Sequence, residues 1–187
     1  MRFAAFALLC LVAACGRADT ARHATDITGA MPALDFAMTR ANDGKAVGAG
    51  DYRGKVALLY FGYTHCPDIC PTTLANLSEV LEKLGSRASD VRVLFVTVDP
   101  ERDTPALMKG YVASFGPGID GLRGAPDQLL RLARRYRVVF SVTPGPPYEV
   151  MHSNAVFLFD RNGRARLVAT ETKDVAGLAS DIETLLQ

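Results

Sequence analysis

The run Val56-Ala57-Leu58-Leu59-Tyr60-Phe61-Gly62-Tyr63-Thr64-His65-Cys66-Pro67-Asp68-Ile69-Cys70-Pro71 decides the fold. Its first six residues are apolar without alternation. That pattern predicts a strand buried on both faces, as in the centre of a parallel sheet. Pro71 suits the first turn of a helix, and Leu74, Leu77, Leu81 and Leu84 follow at helical spacing. Gly85 is placed to end that helix. Cys66 and Cys70 therefore fall at a strand-to-helix junction.

The flanking sequence alternates in the same way. Val91 to Val98 predicts a second buried strand. Thr104-Pro105 opens a helix with Leu107, Met108, Tyr111, Val112 and Phe115 on one face, and residues 125–136 read as another helix. A short strand over 137–142 precedes the loop Thr143-Pro144-Gly145-Pro146-Pro147. Strands over 154–159 and 164–169 flank Asp160-Arg161-Asn162-Gly163, a hairpin signal, and Val175, Leu178, Ile182 and Leu185 line a closing helix. Upstream, strands over 33–38 and 45–49 meet at Asn42-Asp43-Gly44 in an N-terminal β-hairpin. This order predicts an α/β domain, a mixed central sheet flanked by helices. A cysteine pair after the first central strand, with a late hairpin and terminal helix, resembles a thioredoxin-like fold.

The chain opens Met1-Arg2-Phe3 and is then apolar from Ala4 to Ala14. A membrane span needs about 20 apolar residues, so this short run reads as an export signal. Leu11-Val12-Ala13-Ala14-Cys15-Gly16 resembles the lipobox of bacterial lipoproteins, in which Cys15 is acylated and becomes the mature N-terminus. A plain secretory signal and a retained membrane helix are the alternatives. The expected organisation is a signal peptide at 1–14, a flexible tether at 15–29 and one domain at 30–187. The tether histidine, His23, reads as solvated. The domain is then exported and lipid-anchored on the periplasmic side of a bacterial membrane.

The chain carries 21 basic and 20 acidic residues, and the signal contains one Arg. A balanced mature charge points away from nucleic acid as a partner. Of four cysteines, Cys10 lies in the signal and Cys15 carries the lipid, so no disulfide framework staples the domain.

Two thiols at a helix N-terminus face free N–H groups and the positive end of the dipole, which lowers thiol pKa. Thiolate both ligates soft metals and exchanges with disulfides, so Cys66 and Cys70 read as a metal pair or a redox disulfide. Thioredoxin-like oxidoreductases place two residues between their cysteines; this chain has three. His152, just before the 154–159 strand, enters a segment that faces the cysteine loop in a thioredoxin-type fold. Two sulfurs and one imidazole suit copper, and zinc fits nearly as well. Asp99 ends the second buried strand on the same sheet edge, where it either orients a ligand or caps the turn Asp99 to Asp103. His65 reads as a neighbour that shapes the site.

Gly62 to Leu74 resembles the signature of the SCO/SenC family. Asp99-Pro100-Glu101-Arg102-Asp103-Thr104-Pro105 and the His152-Ser153 step are similar to its other two blocks. The resemblance covers about residues 34–186. It implies a membrane-anchored thioredoxin-fold protein that binds one copper ion, as Cu(I) or Cu(II), through Cys66, Cys70 and His152. It also implies a carrier rather than an enzyme, serving assembly of the dinuclear CuA centre of cytochrome c oxidase. The implied partners are the copper-bearing oxidase subunit and other periplasmic copper carriers. One departure is Met151, where many members have Asp. Three other readings stay open: a thiol–disulfide reductase that keeps the oxidase cysteines reduced, a copper or redox sensor, and a thiol peroxidase. The peroxidase reading lacks its Pro-Thr pattern upstream of one attacking cysteine. The loop over 143–148 is expected to move on metal binding and present a docking surface.

Overall fold

The computed structural model describes residues 23–187. Along these residues run β1 (Thr25–Asp26), β2 (Ala37–Arg40), β3 (Ala46–Gly48), β4 (Val56–Gly62), α1 (Ile69–Leu84), β5 (Val91–Thr97), α2 (Pro105–Ala113), β6 (Ile119–Arg123), α3 (Pro126–Arg135), β7 (Phe140–Thr143), β8 (Glu149–His152), β9 (Val156–Phe159), β10 (Ala165–Ala169) and α4 (Val175–Leu185). Eight strands form one sheet in the order β1-β10-β9-β4-β5-β6-β2-β3, while β7 and β8 pair as a separate ribbon.

All of β4 is buried, as its unbroken apolar run requires. It pairs parallel with β5 and antiparallel with β9. Strand β5 pairs parallel with β6. Parallel neighbours need crossovers, and α1 and α2 supply them. Gly62 of β4 sits opposite Thr97 of β5, so the loops that follow both strands leave from one sheet edge. Helix α1 buries Leu74, Leu77, Leu81 and Leu84 on one stripe, which meets α4. Gly85 ends α1 at φ 58°, a left-handed conformation that glycine tolerates. Tyr136, just after α3, lies against Phe157 and Phe159 of β9, with centroids at 5.7 and 5.4 Å. This is the mixed α/β sheet expected from the sequence.

Several elements differ from expectation. Strand β6 (Ile119-Asp120-Gly121-Leu122-Arg123) has no apolar run to announce it. Its Asp120 is buried because the Tyr52 hydroxyl donates to it at 2.9 Å and Arg40 lies 3.5 Å away. The N-terminal hairpin forms, but over 37–40 and 46–48. The strand expected from 137 begins at Phe140, because Arg137 adopts φ 55°, outside the β region. Strand β8 was not expected at all.

Residues 23–29, assigned from sequence to the tether, are instead docked. Strand β1 pairs antiparallel with β10. The amides of His23 and Ala24 donate to Asp181 at 3.0 and 2.7 Å, and His23 Nδ1 lies 2.9 Å from Asp174. His23 is therefore a clip between the N-terminal segment and α4. The expected signal peptide at 1–14, Cys15 and the first part of the tether lie outside the described residues. Among the described residues, no helix is long and apolar enough to cross a membrane.

Candidate metal centre

The loop between β4 and α1 is held from beneath by one buried carboxylate. Asp103 accepts from the Thr64 amide at 3.0 Å, the Thr64 hydroxyl at 2.6 Å and the Thr97 hydroxyl at 2.6 Å. Those donors belong to the cysteine loop and to the end of β5, so Asp103 ties the two together. It is fully buried, and three donors offset the cost of removing its charge from water. From the sequence, Asp103 reads only as part of a turn. Asp99-Pro100-Glu101-Arg102-Asp103-Thr104-Pro105 before a helix does not reveal which acid reaches across to another loop.

At the start of α1, Asp68 makes no side-chain cap. The Cys70 amide instead donates to the Cys66 sulfur at 3.4 Å. A helix N-terminus leaves such amides without intrahelical partners, and here a thiol sulfur accepts one. Cys66 is half-buried and Cys70 is buried. Gly62 makes room for this arrangement. A Cβ there would stand 2.6 Å from a Phe95 ring carbon and 2.8 Å from the Cys70 sulfur.

His152 arrives on the ribbon. In its register, Phe140 pairs with His152, Ser141 with Met151 and Val142 with Val150. Side chains alternate along a strand, so half-buried His152 and Val150 face inward while Met151 faces out, 70% exposed. Met151 thus neither joins the site nor fills the core. The His152 Nδ1 lies 3.0 Å from the Ser153 carbonyl. A carbonyl only accepts, so Nδ1 carries the proton and Nε2 keeps its lone pair. That Nε2 lies 3.2 Å from the Cys70 sulfur. Tyr60 and Tyr63 meet the imidazole edge-on, at 6.2 and 5.8 Å between centroids. The ligand atoms of Cys66, Cys70 and His152 all lie within 4.8 Å of one another.

The electrostatics correct one expectation. The helix terminus was expected to lower thiol pKa, yet the Cys70 thiol is pushed up to about 12, chiefly by burial. Desolvation of the thiolate outweighs the N–H groups, and the nearest of those serves Cys66. Burial also pulls the His152 imidazole below its ordinary value, and the Ser153 carbonyl offsets only part of that. The imidazole is therefore neutral and ready to ligate at neutral pH.

Two sequence candidates stand aside. Asp99 is buried but touches none of the three residues. It accepts from the Tyr148 hydroxyl at 3.0 Å and pairs with Arg102 at 2.5 Å, and the Arg102 guanidinium lies 3.7 Å above the Tyr148 ring. Tyr148 leads into β8, so Asp99 anchors the base of the strand that carries His152. His65 is exposed and faces Thr64 and Asp103, not the sulfurs.

The family profile described as SCO1/SenC matches residues 25–187. The chain belongs to the SCO1/SenC family. The SCO2 homolog of Bos taurus mitochondria is 46% identical over 118 residues, covering 60% of this chain and 44% of that protein. The SCO2-like protein of Rickettsia felis is 36% identical over 134 residues, 70% of this chain and 65% of that one. The match thus spans under two thirds of both relatives. The structure of Bradyrhizobium japonicum ScoI with copper bound superposes with a TM-score of 0.76 at 40% identity, covering 83% of this chain and 99% of that one. Apo Sco1 from Thermus thermophilus gives a TM-score of 0.80 at 32% identity, covering 90% and 99%. The SCO1/SenC domain seen in these proteins is the thioredoxin-like fold described above.

Proposed function

We propose that this SCO1/SenC protein is a copper metallochaperone for assembly of the CuA centre of cytochrome c oxidase. The observation that carries the reading is the meeting of two sulfurs and a lone-pair-bearing imidazole nitrogen within 4.8 Å. Soft thiolates with imidazole suit Cu(I) and, with the nitrogen, Cu(II). Cys66 and Cys70 suffice to hold Cu(I), and His152 supplies the third donor that Cu(II) favours. One ion per chain follows from one such group among the described residues. A copper-bound relative with this fold at 40% identity supports the choice of metal over zinc.

Delivery is to the copper-bearing oxidase subunit, from the periplasmic side of a bacterial membrane, with Cys15 as the lipid anchor. The lipobox-like Ala13-Ala14-Cys15 supports that placement. The relay of copper with other periplasmic carriers belongs to the same reading.

The test is metal content and ligation by X-ray absorption on the reduced domain. One copper with two sulfur scatterers, plus one nitrogen in the Cu(II) form, is expected. Equal copper retention by His152→Ala at unchanged Cu(II) affinity would overturn the role given to the imidazole.

A second reading, thiol–disulfide reductase, has its own support. Cys66 is the more accessible sulfur and receives the helix-terminal amide, as an attacking thiol does. It needs both cysteines but not His152. Exchange with a disulfide peptide from the oxidase subunit, run on wild type and His152→Ala, separates the two readings.

A further inference from the structure

Five large apolar side chains are exposed among the described residues: Ile69, Leu107, Leu130, Val139 and Met151. Singly scattered apolar residues are normal on a surface, but these five are segregated. Strands β4, β5 and β6 run parallel, so α1, α2 and α3 all begin at the sheet edge that carries the metal centre. Ile69 opens α1, Leu107 lies in the first turn of α2 and Leu130 in the second turn of α3. The Val139 carbonyl accepts from the Ser153 amide at 3.0 Å, one step beyond the Phe140–His152 pair. By strand alternation, Val139 and Met151 share the outer face of the ribbon. Between α3 and the ribbon lies an open cleft of about 250 Å3, lined by Val98, Leu129, Leu130, Phe140, Val142 and Tyr148.

The exposed charges that border the metal loop, the cleft and the ribbon are acidic. Asp68, Glu101 and Glu149 have no ion pair among the described residues, whereas Arg102 is paired with Asp99 and Arg131 with Asp127. Glu101 also borders the cleft. These acids repel an anionic lipid surface, and a second copy of this chain would bring the same acids against them. Cationic groups on the partner relieve both problems. Resting on the copper reading above, we infer that this edge docks a protein surface with an apolar centre and a basic rim, presented by the copper acceptor, and that the cleft takes one of its apolar side chains. Burial of apolar surface supplies affinity, and the acids set orientation and encounter rate. Phe140 lines the cleft and pairs with His152, so a partner anchored there lies beside the metal centre.

The experiment titrates the reduced, isotope-labelled protein, with and without copper, and follows its amide signals by NMR. The probes are the metal-free soluble domain of the copper-bearing oxidase subunit, vesicles of anionic phospholipid, and three pentapeptides that alternate lysine with leucine, glutamate with leucine, and lysine with serine. The lysine–leucine peptide and the oxidase domain are expected to shift Leu130, Val139 and Val142, and their binding to weaken with salt. The other two peptides and the vesicles are expected to leave these signals in place. Leu130→Gln combined with Val139→Thr is expected to weaken binding about tenfold, and Glu101→Lys combined with Glu149→Lys to remove the salt dependence. Arg164→Glu, exposed at the opposite sheet edge, is expected to change neither. All these side chains are exposed, so copper content and melting temperature are expected to hold. Equal binding of the glutamate–leucine peptide, vesicle binding that the same variants abolish, or no peptide binding at this edge would overturn the inference. If the lysine–leucine peptide maps here while the protein takes up no copper or ignores the oxidase domain, the docking face stands and the copper or oxidase reading falls.

Discussion

His152 Nε2 lies 3.2 Å from the Cys70 sulfur, although 82 residues of chain separate them. The contact joins a helix start to a ribbon outside the main sheet. Removing either partner therefore tests a tertiary arrangement as well as a ligand. His152→Ala is expected to weaken Cu(II) binding by more than the about 10–100-fold that loss of a supporting group costs. Cu(I), for which the two sulfurs suffice in the proposed function, is expected to lose far less. Competition titrations with a chelator for each oxidation state measure the difference.

Gly62→Ala is expected to damage both stability and the site. The new methyl would overlap Phe95, which is fully buried and cannot yield, and the Cys70 sulfur. Overpacking of this kind costs about 1–3 kcal/mol. Urea denaturation reads the stability loss, and copper competition reads the displaced sulfur.

Asp103→Ala strands three donors from Thr64 and Thr97 in a buried place. A loss of about 3 kcal/mol is expected, since each unmet buried bond costs about 1–3 kcal/mol. Hydrogen exchange should accelerate first at the Thr64 amide. Unchanged protection there would deny Asp103 its hold on the cysteine loop.

The pH dependence follows from two opposite shifts. The Cys70 thiol is raised to about 12 from an ordinary value of 9.0. The folded, reduced, metal-free domain therefore keeps a proton that the unfolded chain gives up, and its stability falls as pH rises from 9 towards 12. The His152 imidazole is lowered from 6.5. The unfolded chain then binds the proton first, so stability also falls as pH drops through and below that ordinary value. Copper uptake must expel the Cys70 proton, so apparent affinity should rise about tenfold per pH unit below the thiol pKa from this residue alone. Denaturation and copper competition at a series of pH values check all three slopes.

Tyr148→Phe removes the donor to buried Asp99 at the foot of β8. We expect faster hydrogen exchange in β7 and β8 and weaker Cu(II) binding, with Cu(I) binding nearly unchanged. The same exchange measurement on wild type with and without copper tests whether the 143–148 loop responds to metal. Identical protection in both states would remove that idea.

The local sequence carried the parts that depend on a local pattern. An unbroken apolar run fixed β4 at the centre of the sheet, and leucines at helical spacing with Gly85 fixed α1. Cys66, Cys70 and His152, whose potential ligand atoms the structure brings within 4.8 Å of one another, were legible as candidate donors because their chemistry is written in their side chains. Strand β6 and the β1 pairing were not legible, because Asp120 and Thr25–Asp26 are held by partners far along the chain. Only the tertiary structure selected Asp103 as the acid beneath the cysteine loop and Asp99 as the anchor of the ribbon. It alone turned Met151 outward, through the register of β7 and β8. It also reversed the expected effect on Cys70. Helix-terminal position is a property of the sequence, but loss of water around a sulfur is set by everything that folds over it. Residue identity and periodicity thus supplied the donors and the frame, while contacts between distant segments set their spacing, protonation and support.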